Sequence, residues 1–140
     1  MSWTETDLVG LSTDMELLPE GTYVFELLPG SKKGQWDPEK IEVGVKVVEG
    51  DYAGRVVYFS YNNPEKSPAM YGAFKRLEIA LSKDTGVSIV EGQHPVDYLN
   101  DPTVIGGKFI APLTHREYVN NEGETQRKTN VGIFKVKAVA

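Results

Sequence analysis

A chain of 140 residues, 40% hydrophobic and 25% charged, has the size of one domain able to bury a core without cross-links. It contains no cysteine, which excludes disulfide scaffolds, thiolate zinc sites and cysteine nucleophiles together. The net charge of −5 weighs against a nucleic-acid partner, but residues 1–102 carry 9 basic and 17 acidic side chains against 6 and 3 in residues 103–140, so the basic end is the later one.

Glu5, Asp7, Asp14, Glu16 and Glu20 meet no Lys or Arg in the first twenty residues, which predicts an acidic arm over 1–20 ahead of a domain over 21–140. The arm has neither the basic region nor the continuous apolar region of a signal peptide. No later segment approaches the ~20 apolar residues of a membrane span. A soluble, cytoplasmic protein is the expectation.

Past the Pro19-Glu20-Gly21 breaker, Thr22 to Leu28 has the β-branched and aromatic content of a first strand. A breaker-rich loop follows, Pro29 to Gly34, with Trp36 and Pro38 beyond it. Ile41, Val43, Val45 and Val47 then alternate with Glu42, Gly44, Lys46 and Val48, the period of a strand with one buried face. Glu49 to Gly54 supplies a turn, and Arg55 to Tyr61 a third strand. Prolines 64 and 68 stop that strand. Met70, Phe74, Leu77 and Leu81 next fall at helical spacing, and Asp84-Thr85-Gly86 ends the helix, whose apolar stripe caps a core or docks a partner. Glu91 to Pro102 reads as a loop. Gly106-Gly107 opens a strand over Lys108 to Val119, Asn120 to Gly123 a hairpin turn, and Thr125 to Val139 the return strand.

The order β, β, β, α, β, β is that of an OB-fold, a five-stranded partly open barrel with its helix between strands 3 and 4. Leu18-Pro19-Glu20-Gly21-Thr22-Tyr23, Val48 to Arg55 (VEGDYAGR) and Phe74 to Leu81 (FKRLEIAL) resemble a family of small phage proteins related to single-stranded-DNA-binding proteins. The resemblance covers roughly residues 18–139. It implies single-stranded DNA binding without strong sequence preference, in phage replication or recombination within the host-cell cytoplasm. Phage or host replication and recombination proteins are then further partners, and a homo-oligomer is compatible. Relatives often end in an acidic tail, whereas this chain ends Lys135-Val136-Lys137-Ala138-Val139-Ala140, which puts C-terminal recruitment in doubt. The acidic arm is either a mimic of DNA or a solubilising extension.

Single-stranded nucleic acid is held by cations on phosphates and aromatic rings on bases. The candidate cations are Lys33, Lys46, Arg55, Arg116, Arg127 and Lys128, and the candidate rings are Trp36, Tyr58, Tyr61 and Tyr118. Strand parity puts Arg55, Val57, Phe59 and Tyr61 on one face and Val56, Tyr58 and Ser60 on the other. Tyr58 is thus the outward ring, and Tyr61 joins it only if a bulge or the strand end turns it out. Thr114, Arg116 and Tyr118 share one side of the last hairpin, with Arg127 and Lys128 across the turn. Lys32, Lys33 and Trp36 are expected to form the facing wall.

No enzyme signature stands out: His94 and His115 lack HExxH spacing, and the segment Gly30 to Gly34 (GSKKG) lacks that of a P-loop. The expectation is a non-enzyme without metal or cofactor. Two rivals to DNA binding use the same barrel, a structural or adaptor protein with the aromatics in a protein interface and a carbohydrate-binding module.

Overall fold

The alternating segment Ile41–Val47 is the spine of the fold, because its valines are buried on one face while its backbone pairs on both edges. The protein is described by a computed structural model over residues 17–139. In chain order its elements are β1 (Gly21–Leu27), β2 (Lys32–Lys33), β3 (Ile41–Val47), β4 (Val56–Tyr61), α1 (Ala69–Thr85), α2 (Pro95–Leu99), β5 (Lys108–Val119), β6 (Thr125–Val131), a 3-10 turn (Ile133–Lys135) and β7 (Lys137–Ala138). β3 pairs with β4 along one edge and with β1 and then β2 along the other; β1 pairs with β5, and β5 with β6 and β7. Every pairing is antiparallel, and the series β4, β3, β1, β5, β6 curls into a half-barrel whose two ends approach each other.

β1 and β2 act as one bent strand. Five steps from Leu27 to Lys32 face three from Val45 to Glu42, so two extra residues bulge out between Leu28 and Ser31. A bulge of this kind sharpens twist and lets a sheet curl. Asn100, at the C-terminal end of α2, holds the bulge: its amide oxygen accepts from Gly30 N at 3.3 Å and its amide nitrogen donates to Ser31 O at 2.7 Å.

Inside the curl, Phe25 pairs with Phe109 across β1 and β5 with ring centroids 5.6 Å apart, and Val43, Val45, Val57, Leu77 and Leu81 complete the centre. α1 closes the core by lying against β5, β7 and the 3-10 turn. Truncating a fully buried residue such as Leu77 to Ala costs about 2–5 kcal/mol through lost transfer energy and the cavity left behind. Gly86 ends α1 in the left-handed region, φ 77°, and its N–H donates to Ser82 O at 2.8 Å.

Three sequence expectations change. Glu91 to Pro102 contains α2, with Pro95 in the first turn and His94 as its N-cap, Nδ1 accepting from Val96 N at 3.1 Å. Histidine is not a usual cap, and five residues are too few to display a helical period. The return strand stops at Val131 instead of reaching Val139. Pro112 explains this: its carbonyl accepts from Gly132 N at 2.9 Å, so its ring nitrogen faces the same side and cannot donate there. The chain detours through the 3-10 turn and resumes pairing only at Ile110↔Lys137. Within α1, Glu78 is buried beside the apolar stripe, its carboxylate accepting from Ile89 N at 3.1 Å and pairing with Lys75 Nζ at 3.2 Å. Finally, Leu18 and Glu20 belong to the folded body rather than to an arm. Leu18 is buried, Leu18 O lies 2.6 Å from His115 Nε2, and Glu20 Oε2 accepts from His115 N at 2.9 Å. Residues 1–16 of the proposed arm lie outside the described residues.

Candidate nucleic-acid interface

Register sets the site. Lys46↔Val56, Gly44↔Tyr58 and Glu42↔Ser60 are paired across β3 and β4, and alternation puts all six on the face away from the core. The opposite face carries Val43, Val45, Val57 and Tyr61 inward. Tyr58 is 77% exposed, and its ring lies across the backbone of Gly44: a Cβ at position 44 would meet Tyr58 Cε1 at 3.0 Å and Cδ1 at 3.3 Å. Only glycine lets the ring lie so close. A glycine inside an otherwise regular strand is the mark of such an approach.

A cleft opens on each side of this ring. One, of about 530 Å³, lies between the Leu28–Lys32 bulge and the Tyr58–Ser60 segment, with Glu42 and Gly44 in its floor. The other, of about 540 Å³, runs from Tyr58–Ser60 to β6 and the 3-10 turn. Lys40, Arg116 and Lys128 line the second cleft, and among the described residues no Asp or Glu does. Among the described residues these three cations form no ion pair with a carboxylate. The second cleft is thus a concave, cationic surface among the described residues, where low-dielectric walls strengthen the field.

The candidate residues distribute unevenly over this frame. Tyr58, Arg116 and Lys128 come together at the second cleft, and Tyr118 joins them indirectly, with Lys128 Nζ 5.3 Å from its ring centroid. Arg116 and Lys128 sit directly opposite each other in the β5–β6 ladder, where two like charges repel unless an anion lies between them. Lys46 is on the Tyr58 face but pairs with Glu26 at 3.8 Å. Arg55 is half-buried in the turn before β4, its carbonyl accepting from Val47 N at 2.9 Å.

Tyr61 is a correction. No bulge interrupts β3–β4 pairing, so parity holds to the strand end and Tyr61 is buried, packed edge-on against Phe59 at 5.7 Å and Phe74 at 5.5 Å. Among the described residues its hydroxyl has no hydrogen-bond partner, and burial pushes its pKa above the ordinary tyrosine range. Arg127 is a second correction: alternation turns it to the hairpin side opposite Lys128, where its Nε lies 3.4 Å from Glu117 Oε1. Lys33 and Trp36 line neither cleft. Trp36 is 91% exposed on a loop that Asp37 ties to Asn63 at 3.4 Å and Lys66 at 3.7 Å.

The residues the sequence reading missed are Lys40, Glu42, Gly44 and Ser60. Gly44 carried a usable signal, a glycine within a period-2 strand; the others are ordinary polar residues that only the register collects. Among the described residues no group of three or more His, Asp or Glu could hold a metal ion, and no helix is long and apolar enough to cross a membrane. No known family model matches this chain, and no curated protein is significantly similar to it.

Proposed function

We propose that this protein binds single-stranded DNA along the outer face of β3 and β4, as an OB-fold of the phage single-stranded-DNA-binding kind. The observation that carries the reading is the cleft of Lys40, Arg116 and Lys128, which no carboxylate lines among the described residues, beside the exposed ring of Tyr58. Phosphates follow the cations while a base stacks on the ring, a combination that tolerates any sequence because every base offers a π-face. Supporting the fold assignment are the pairing series β4, β3, β1, β5, β6 and the entry of α1 between β4 and β5. In an OB-fold the second and third strands of the barrel, here β3 and β4, carry the ligand. Replication or recombination of phage DNA is the setting this binding would serve.

A mobility-shift titration with single-stranded and duplex probes of equal length tests the proposal. Single strands shift at low salt and duplex does not. With the three cations of the cleft on phosphates, log K falls against log salt with a slope of roughly −2. Absence of any shift, or an affinity indifferent to salt, would turn the same face into a protein interface.

A further inference from the structure

The first cleft differs in chemistry from the second. Lys32, Glu42 and Ser60 stand directly opposite one another across β2, β3 and β4, so their side chains form one row on the outer face. The row is next to the Gly44–Tyr58 row, and all five residues line the cleft. Lys32 Nζ lies 3.7 Å from Glu42 Oε2, both side chains being partly open to solvent. The far wall, Leu28 to Gly30, is fixed by Asn100 and by Leu28 N donating to Gly44 O at 3.0 Å. A rigid wall, an aromatic ring on the opposite side and a polar row that passes through Glu42 in the floor describe a pocket for a flat heterocycle with a polar rim.

Resting on the single-stranded DNA reading above, we infer that this cleft is a base pocket that favours guanine. A base lying on the Tyr58 ring presents its Watson–Crick edge to the row. An ammonium donates only, and an ionised carboxylate accepts only, with two oxygens that can take two parallel N–H bonds. Guanine alone offers two adjacent donors, N1–H and N2–H, for one carboxylate, followed by an acceptor, O6, for the ammonium. Thymine gives Glu42 one donor, N3–H; cytosine and adenine give it one exocyclic N–H. Ser60 Oγ, on the other side of Glu42, can accept the remaining N2–H. A protein that grips phosphates without regard to sequence would then hold one position of the strand by base identity.

The test is anisotropy with short labelled oligothymidylates that carry guanine, hypoxanthine, adenine or thymine at one central position. The guanine strand binds about tenfold tighter than the adenine or thymine strand, within the range that a bidentate base contact gives. Hypoxanthine, which lacks only the 2-amino group, falls between. Glu42→Gln, which keeps the shape but only one acceptor, brings the four affinities together, so that the ratio of guanine-strand to all-thymine-strand affinity falls from about ten to near one. Equal affinities in the wild type, or a guanine preference that survives Glu42→Gln, overturn the base pocket and leave strand binding standing. Failure of the wild type to bind any of the four strands overturns the strand-binding reading itself.

Discussion

Gly44 and Tyr58 show how one missing atom shapes a surface. Gly44→Ala puts a Cβ 3.0 Å from the Tyr58 ring, and because an exposed side chain gives way more easily than a strand, the ring lifts off the sheet. Oligonucleotide affinity is expected to fall several-fold in a fluorescence titration, while the urea midpoint moves little, alanine's better strand propensity offsetting the displaced contact. Tyr58→Ala removes the stacking ring and should cost ~1–3 kcal/mol of binding, against little change in stability. Tyr61 gives the converse case. Its buried hydroxyl has no partner among the described residues, and an unmet buried donor costs ~1–3 kcal/mol, so Tyr61→Phe should raise stability to urea by about 1 kcal/mol and leave the proposed DNA binding unchanged.

At the scale of elements, the β5–β6 hairpin separates two charge populations by parity alone. Arg116 and Lys128 face the cleft, whereas Glu117 and Arg127 pair off on the other side. The double variant Arg116→Ala/Lys128→Ala should flatten the salt slope of single-strand binding by about 1.4, from ~0.7 per phosphate contact. Arg127→Ala serves as the control and should leave the slope unchanged. A slope that responds equally to both would place the strand outside the cleft. Pro112 and Gly132 decide where this hairpin ends: a Cβ at 132 would meet Pro112 Cγ at 2.7 Å, so the detour needs both residues. Its consequence is that the 3-10 turn, rather than a continuing strand, forms one wall of the cationic cleft.

For the whole molecule, two buried tyrosines set an alkaline limit. Burial, with Glu78 and Asp101 nearby, pushes the Tyr98 hydroxyl up to about 12, where it donates to Val87 O at 2.8 Å, and burial alone pushes Tyr61 higher still. An unfolded tyrosine ionises near pH ~10, so above that pH the unfolded chain loses protons that the folded chain keeps. The stabilisation is complete below pH ~10 and is lost progressively as pH rises through the folded-state values. Urea midpoints measured from pH 8 to 12 should stay level at first and fall above pH ~10. In Tyr98→Phe the fall should be shallower, although loss of the Val87 hydrogen bond lowers the plateau by about 1 kcal/mol.

Local chemistry in the chain was enough to define most elements. Period-2 alternation specified Ile41–Val47 with its buried face, helical spacing and Gly86 specified α1, and Asn120 to Gly123 specified the hairpin, because each signal lies within one segment and depends on backbone geometry alone. Parity also made Tyr58 the outward ring and Val57 an inward residue. Tertiary structure decided what lies beside what. The Leu28–Ser31 bulge, the stop at Pro112 and the pairing of Lys32 with Glu42 depend on partners distant in sequence, and no segment contains its own neighbour. For the same reason the cations at the cleft are Lys40, Arg116 and Lys128, gathered from three separate segments, while Arg127, next in sequence to Lys128, points away.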